Sequence, residues 1–255
     1  MPPPSILVIG AGELGTAILS ALTATRPRPL HHAPRRPPPR RNPRLPVPAT
    51  RSSLARLAAQ GIAFETGDFI NTPLPELVAV FRNVAVRRLL AGQSGTGWTV
   101  VSTGLFMSFL FLKGFGAVDL KGRVLRGLGG WGNEVTVTDV EGIGKVVAEL
   151  VYEPAEGNGV VYVAGDTVSY AEVADLVEEV YGGEWKREEW DREFLKKRLE
   201  EQPGDLMLKY QNAFGAGVGV SWEKEKTVNY QRGIKIPDLR GFLRDNKNRL
   251  LETAE

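Results

Sequence analysis

The chain has 255 residues, 42% hydrophobic and 24% charged, with a formal net charge of +2, enough for one large domain or two small ones with a real core. It has no cysteine, and its two histidines, His31 and His32, are adjacent; this rules out disulfides and thiolate nucleophiles and argues against a histidine triad or a metal centre. No apolar run approaches the roughly 20 residues needed to span a bilayer, and MPPPSILVIGAG lacks the basic start and cleavage site of a secretory leader. The expectation is a cytoplasmic protein without membrane contact.

In chain order, the first element is a short apolar strand, Ile6 to Ile9. The turn Gly10-Ala11-Gly12-Glu13-Leu14-Gly15 follows, and Leu14, Ile18 and Leu22 then repeat at helical spacing. A G-x-G-x-x-G placed between strand and helix is the dinucleotide-binding pattern. Gly10 permits the tight turn, Gly12 lets the backbone approach a pyrophosphate, and Gly15 allows close packing of helix on strand. The helix start, at Glu13 and Leu14, offers unpaired N–H groups to the phosphates.

The second buried strand that should come next is missing. Residues 26–51 are RPRPLHHAPRRPPPRRNPRLPVPATR, and proline excludes both helix and central strand. Between Glu13 and Glu65 there are nine arginines and no acidic residue, so the rest of the chain is net acidic. The tract has no aromatic residue to stack on bases, which argues against a nucleic-acid arm. A proline-rich linker or SH3-type ligand is an alternative. The composition also matches GC-rich coding sequence read out of frame, and on that reading the tract is an altered replacement for the second strand. An acid at that strand's end would select NAD and an arginine NADP; Arg35 and Arg36 are the nearest residues, so the direction is NADP(H).

Regular structure resumes with a short helix over 53–61 and a strand over 62–64, ending in Gly67-Asp68-Phe69. A helix over 78–93 precedes the β-branched strand WTVVSTG, 98–104. GNEVTVTDVEG supplies a strand and a capping box, Thr138-x-x-Glu141, for a helix with Ile143, Val146, Val147 and Leu150 inward. VVYVAGD, 160–166, reads as one strand. Ser169-x-x-Glu172 caps a further helix with Val173, Leu176, Val177 and Val180 inward. From Trp185 the chain is polar and reads as short helices covering the sheet or a substrate cleft. Strand–helix alternation predicts an α/β fold with a parallel sheet.

Five stretches in this order, ILVIGAGELGTAIL, LAAQGIAFETGDF, VRRLLAGQSGTGWTVVSTGLFMSFLF, GNEVTVTDVEGIGKVVAEL and VVYVAGDTVSYAEVADLVEEV, resemble the NmrA-like and isoflavone reductase-like proteins, atypical short-chain dehydrogenase/reductase relatives, in their aromatic alcohol reductase branch. The resemblance covers about 5–25 and 53–240, and STGLFMSFLF and YVAGDTVSY carry it most specifically. It implies a Rossmann-like doubly wound parallel sheet, here within 1–150, with the last strand and a smaller C-terminal substrate lobe in 151–255. It also implies NADP(H) and a small aromatic substrate. Asp68 and Phe69 would lie near the adenine, and Thr103, Gly104, Leu105 and Phe106 on the nicotinamide and substrate side.

Two departures stand out. The tract 26–51 occupies the place of the family's second strand, and two strands that should follow Asp68 have no counterpart. The position of the family's catalytic lysine falls near Asn83, an amide that does not exchange protons as a lysine can. The sequence therefore leaves three outcomes: an NADPH-dependent reductase, a non-catalytic NADP(H)-sensing regulator with a protein partner, or an inactive truncated product. Missing strands predict unpaired sheet edges.

Overall fold

The computed structural model describes residues 13–25, 98–155 and 157–253. The strand Ile6–Ile9, Gly10, Gly12, the tract 26–51 with Arg35 and Arg36, the elements expected over 53–64, Asp68, Phe69 and the 78–93 helix with Asn83 lie outside the described residues. The chain divides into two compact units, one of residues 1–100 with 148–160, the other of 101–147 with 161–255.

In the first unit, α1 (Glu13–Thr25) opens immediately after Gly12, where the glycine turn requires a helix to start. Leu22, on its predicted apolar stripe, is buried, and its carbonyl accepts a hydrogen bond from the Tyr152 hydroxyl at 3.4 Å. The Trp98 N–H donates to Asn158 Oδ1 at 2.8 Å, and the Gly159 N–H donates back to the Trp98 carbonyl at 3.4 Å. These bonds set the start of strands β1 (Thr99–Ser102) and β6 (Gly159–Tyr162), which pair with each other.

The second unit holds two three-stranded sheets. One has the order β2 (Leu105–Phe106), β5 (Glu134–Thr138), β7 (Asp166–Ser169); the other has the order β3 (Val118–Asp119), β4 (Val124–Leu128), β8 (Lys186–Trp190). The β2–β5 and β4–β8 pairs are parallel, and β5–β7 and β3–β4 are antiparallel. β5 is the central strand of its sheet, and Val135 to Thr138 are all fully buried. Burying two threonines requires partners for their hydroxyls. Thr136 Oγ1 meets Thr167 Oγ1 at 2.8 Å across the antiparallel pair, and Thr138 Oγ1 donates to the Thr103 carbonyl at 2.7 Å.

That second bond corrects the expected capping box. The hydroxyl of Thr138 is committed to Thr103, so the helix α2 (Val140–Tyr152) is capped by its neighbour: Asp139 Oδ2 accepts from the Gly142 N–H at 2.9 Å. Ile143, Val146 and Leu150 are buried as predicted, with Val147 half-buried. The Ser169–Glu172 box on α3 (Tyr170–Tyr181) forms in both directions, and Val173 and Val177 point into the core.

The strand predicted over 160–166 is broken at Val163–Gly165, where the chain leaves one sheet for another: β6 pairs with β1 and β7 with β5. The cause is a side chain far along the sequence. Asn229 Oδ1 accepts from the Ala164 N–H at 3.1 Å and Asn229 Nδ2 donates to the Ala164 carbonyl at 2.9 Å, replacing the sheet's own bonds. Gly165 then passes where a Cβ would lie 2.5 Å from the Pro237 carbonyl oxygen.

The tail from Trp185 is not all helix. Its first element is β8, a strand without apolar alternation, held by pairing with β4 and by arginine–tryptophan stacking. Arg123 lies over Trp185 at 4.6 Å, and Arg126 and Arg198 lie over Trp190 at 4.8 and 4.7 Å. Helices α4 (Arg192–Glu201), α5 (Leu206–Gly215), the short α6 (Val228–Gln231) and α7 (Leu239–Thr253) follow. α7 buries Leu239, Phe242, Leu243 and Leu250 at helical spacing. On its exposed side Arg240 and Arg244, one turn apart, both hold Glu179 of α3.

Candidate functional site

The predicted site residues divide between the two units. Glu13, Leu14 and Gly15 form the first turn of α1. Thr103, Gly104, Leu105 and Phe106 belong to the second unit, where the structure brings all four onto the end of β5.

The chain reaches this place by one tight passage. Gly104 has φ +66°, a conformation that side-chain-bearing residues rarely adopt. A Cβ there would run into the Thr136 carbonyl. Glycine is needed both for the turn and for the close approach of two backbones. Beyond it Leu105 pairs with Val137 and Phe106 with Thr138. The Thr138 hydroxyl holds the Thr103 carbonyl, and the Val163 N–H donates to the Ser102 carbonyl at 2.9 Å. The 102–106 segment is thereby fixed between the carboxyl end of β5 and the 163–165 crossover.

The aromatic residues flanking this segment sort by burial. The 3-10 turn Met107–Phe111 puts Met107 and Leu110 fully inside, and Phe115 is fully buried as well. Phe109 is half-buried and meets Phe115 and Tyr210 edge-to-face, both at 5.4 Å, while Phe115 meets Phe214 at 6.1 Å. Phe115 is therefore core, whereas Phe109 and the exposed Tyr210 form an aromatic wall open to solvent. That Phe109 and Tyr210 touch follows from the packing of α5 on the 107–116 segment, which joins residues far apart in the chain.

The chemistry available around 102–106 is positional. Its partners are hydroxyls, carbonyls and hydrocarbon, none of which titrates near neutral pH. Tyr170 offers no acid either, since burial pushes its phenol well above the ordinary value. Among the described residues no group of three or more His, Cys, Asp or Glu could hold a metal ion, and no helix is long and apolar enough to cross a membrane. Sequence reasoning missed Asn229, Thr138 and Gly165 as positioning residues. Thr138 had a visible signal but was assigned to a cap; Asn229 had none.

No protein-family model matches the chain. An NmrA-like family domain-containing oxidoreductase of Gibberella moniliformis is 36% identical over 310 residues, covering 94% of this chain and 97% of that protein. The chain belongs to the NmrA-like family. The aligned stretch of 310 positions is longer than the 255-residue chain itself, so the relative carries residues that face gaps here. Among solved structures, the Escherichia coli NADPH-dependent quinone oxidoreductase QOR2 in complex with NADPH is 16% identical with a TM-score of 0.62, covering 94% of this chain and 97% of that one. The Citrobacter triphenylmethane reductase complexed with NADP(H) is 16% identical, with a TM-score of 0.57 and coverage of 92% and 96%. AtPrR2 with NADP+ and (+)pinoresinol is 13% identical over 69% of this chain and 60% of that one, with a TM-score of 0.50. The fold of the NmrA-like chain is thus α/β and Rossmann-like, as its strand–helix alternation predicts, and the dinucleotide held by these neighbours is the one expected from the sequence.

Proposed function

We propose that this NmrA-like protein is an NADP(H)-dependent oxidoreductase whose substrate is a small aromatic molecule. The observation that carries the reading is α1, which opens at Glu13 directly behind Gly10-Ala11-Gly12, in a chain 36% identical almost end to end to an NmrA-like oxidoreductase. A helix start of this kind fits a pyrophosphate, because its first N–H groups have no partner within the helix. Gly10, Gly12, Glu13, Leu14 and Gly15 would hold the phosphates, Arg35 and Arg36 the 2′-phosphate, and Asp68 and Phe69 the adenine. The reduced nicotinamide supplies the hydride.

In this reading Thr103 to Phe106 position the acceptor, held rigid by Thr138 and by the backbone approach at Gly104. The Phe109–Tyr210 wall takes an aromatic ring edge-to-face and excludes water from one side. A second reading, an NADP(H)-sensing regulator without turnover that acts through a protein partner, draws support from the lack of a titrating group among the partners of 102–106 and from Asn83 at the family's lysine position.

The test is a titration of the purified chain with NADPH and with NADH, following nicotinamide fluorescence and the thermal midpoint together. NADPH oxidation is then followed with aromatic aldehydes, enones and quinones. Saturable NADPH binding with a raised midpoint and turnover of one substrate class supports the oxidoreductase. Binding without turnover favours the regulator. Binding of neither dinucleotide overturns both.

A further inference from the structure

At the other end of β5, away from Thr103–Phe106, lies a cleft of about 440 Å³ within the second unit. Its walls are backbone: Gly129, Gly130 and Gly132 on the turn between β4 and β5, and Gly217 after α5. Gly129, Gly130 and Gly217 have φ of +77°, +112° and +67°, a conformation that favours glycine, so much of the lining is main chain.

Four polar residues line it as well: Asn133, Glu134, Arg192 and Ser221. Asn133 is fixed in orientation, because its Nδ2 donates to the Leu128 carbonyl at 2.7 Å and to the Phe214 carbonyl at 2.8 Å. Both amide hydrogens are thereby used, and Oδ1 turns toward Gly217, where a Cβ would lie 2.5 Å from it. The same Cβ would lie 3.0 Å from Arg192 Nη2. Asn133 Oδ1 and Arg192 Nη2, from separate segments, thus both lie close against Gly217, a residue of the cleft wall. Among the described residues neither Asn133 Oδ1 nor the Arg192 guanidinium has a hydrogen-bond or ion-pair partner, whereas Arg126, Arg187, Arg240 and Arg244 are all paired with carboxylates. The Glu134 carboxylate is likewise unpaired among these residues and is not bridged to Arg192.

We propose that this cleft is a second small-molecule site, for a small organic acid that also carries a hydroxyl or ammonium donor. Its carboxylate docks on Arg192, as guanidinium and carboxylate geometry favours, and its donor is shared between Asn133 Oδ1 and Glu134. A bare anion meets the charge of Glu134 without compensation, and a bare cation meets Arg192. Glu134 and Thr138 stand at opposite ends of β5, about 13 Å apart at ~3.3 Å per residue. A molecule of this size held at Arg192 does not reach the Thr103–Phe106 segment, so it is not the hydride acceptor.

The experiment titrates the full chain with L-serine, glycolate, acetate and inorganic phosphate, following tryptophan fluorescence, since Trp131 lies on the turn and Trp222 follows Ser221. Serine or glycolate should saturate the signal and acetate should bind about tenfold more weakly; Arg192→Gln should weaken the preferred probe by about tenfold or more. Glu134→Gln should erase the preference over acetate. Both positions are exposed, and circular dichroism confirms that each variant is folded. Saturation by none of the four probes up to about 10 mM, binding indifferent to Arg192→Gln, or phosphate as the tightest ligand would each overturn the proposal.

Discussion

Asn229 is the sharpest test of how the crossover between the two strand pairings is held. Its side chain takes the place of a strand for a single residue, accepting from the Ala164 N–H at 3.1 Å and donating to the Ala164 carbonyl at 2.9 Å. Both residues are buried, Ala164 completely and Asn229 to within 4% exposure. Asn229→Ala removes both bonds and leaves a buried donor and a buried acceptor unpaired. Each costs about 1–3 kcal/mol, so the expected loss is about 2–6 kcal/mol, partly relieved if water enters the space left by the amide. Urea unfolding followed by circular dichroism measures it, as a lower midpoint at unchanged slope. Asn229→Asp separates hydrogen bonding from volume: it keeps size and acceptor but puts an oxygen against the Ala164 carbonyl, so at neutral pH it should destabilise about as much as alanine. A loss below about 1 kcal/mol for Asn229→Ala, or a benign Asn229→Asp, would refute the reasoning and mean that the 163–165 crossover is fixed by packing alone.

Gly104→Ala should cost at least about 2 kcal/mol, since alanine pays for the left-handed conformation and its Cβ meets the Thr136 carbonyl. Gly204→Ala, where a Cβ meets nothing within 4 Å, should stay within about 0.5 kcal/mol; equal effects in thermal unfolding would count against the close approach. Glu188 is held below its ordinary value of 4.5 by hydrogen bonds from Lys186 first and Arg126 second. Its pairing therefore stabilises the fold above the unfolded-state pKa and is lost as pH falls through the lower folded one. The side chain is 27% exposed, so the effect is at most about 1 kcal/mol. Wild type should lose that much more stability than Glu188→Gln between about pH 5 and pH 3; parallel pH profiles would remove the pair from the account.

What could be read from the sequence was what depends on neighbours along the chain. The start of α1 at Glu13, the Ser169–Glu172 box and the apolar stripes of α2 and α3 are short-range patterns, and they form as predicted. The errors come from distant partners. Residues 160–166 have the composition of one strand, and only a side chain 65 positions away divides them. Thr138 has the spacing of a cap, yet its hydroxyl is used by Thr103. Lys186–Trp190 has no strand pattern, and β4 together with three arginines makes it one. Near the candidate site the passage at Gly104, with its positive φ, is a local exception to ordinary residue choice and could be named from the sequence. The Phe109–Tyr210 wall and the Arg192 cleft could not, because each joins segments that only tertiary packing brings together.

The strand β8 has a consequence for how the molecule behaves in company. Among the described residues it pairs on one side only, with β4, and it carries Lys186, Arg187, Glu188 and Glu189 in succession. A second chain adding itself along that border would have to strip water from four charges that already have partners: Lys186 and Glu188 in each other, Arg187 in Asp175 and Glu178, and Glu189 in the Trp131 N–H. The sheet thus ends in a margin that resists extension. The charges that spoil its strand pattern are the same ones that keep neighbouring molecules from completing it.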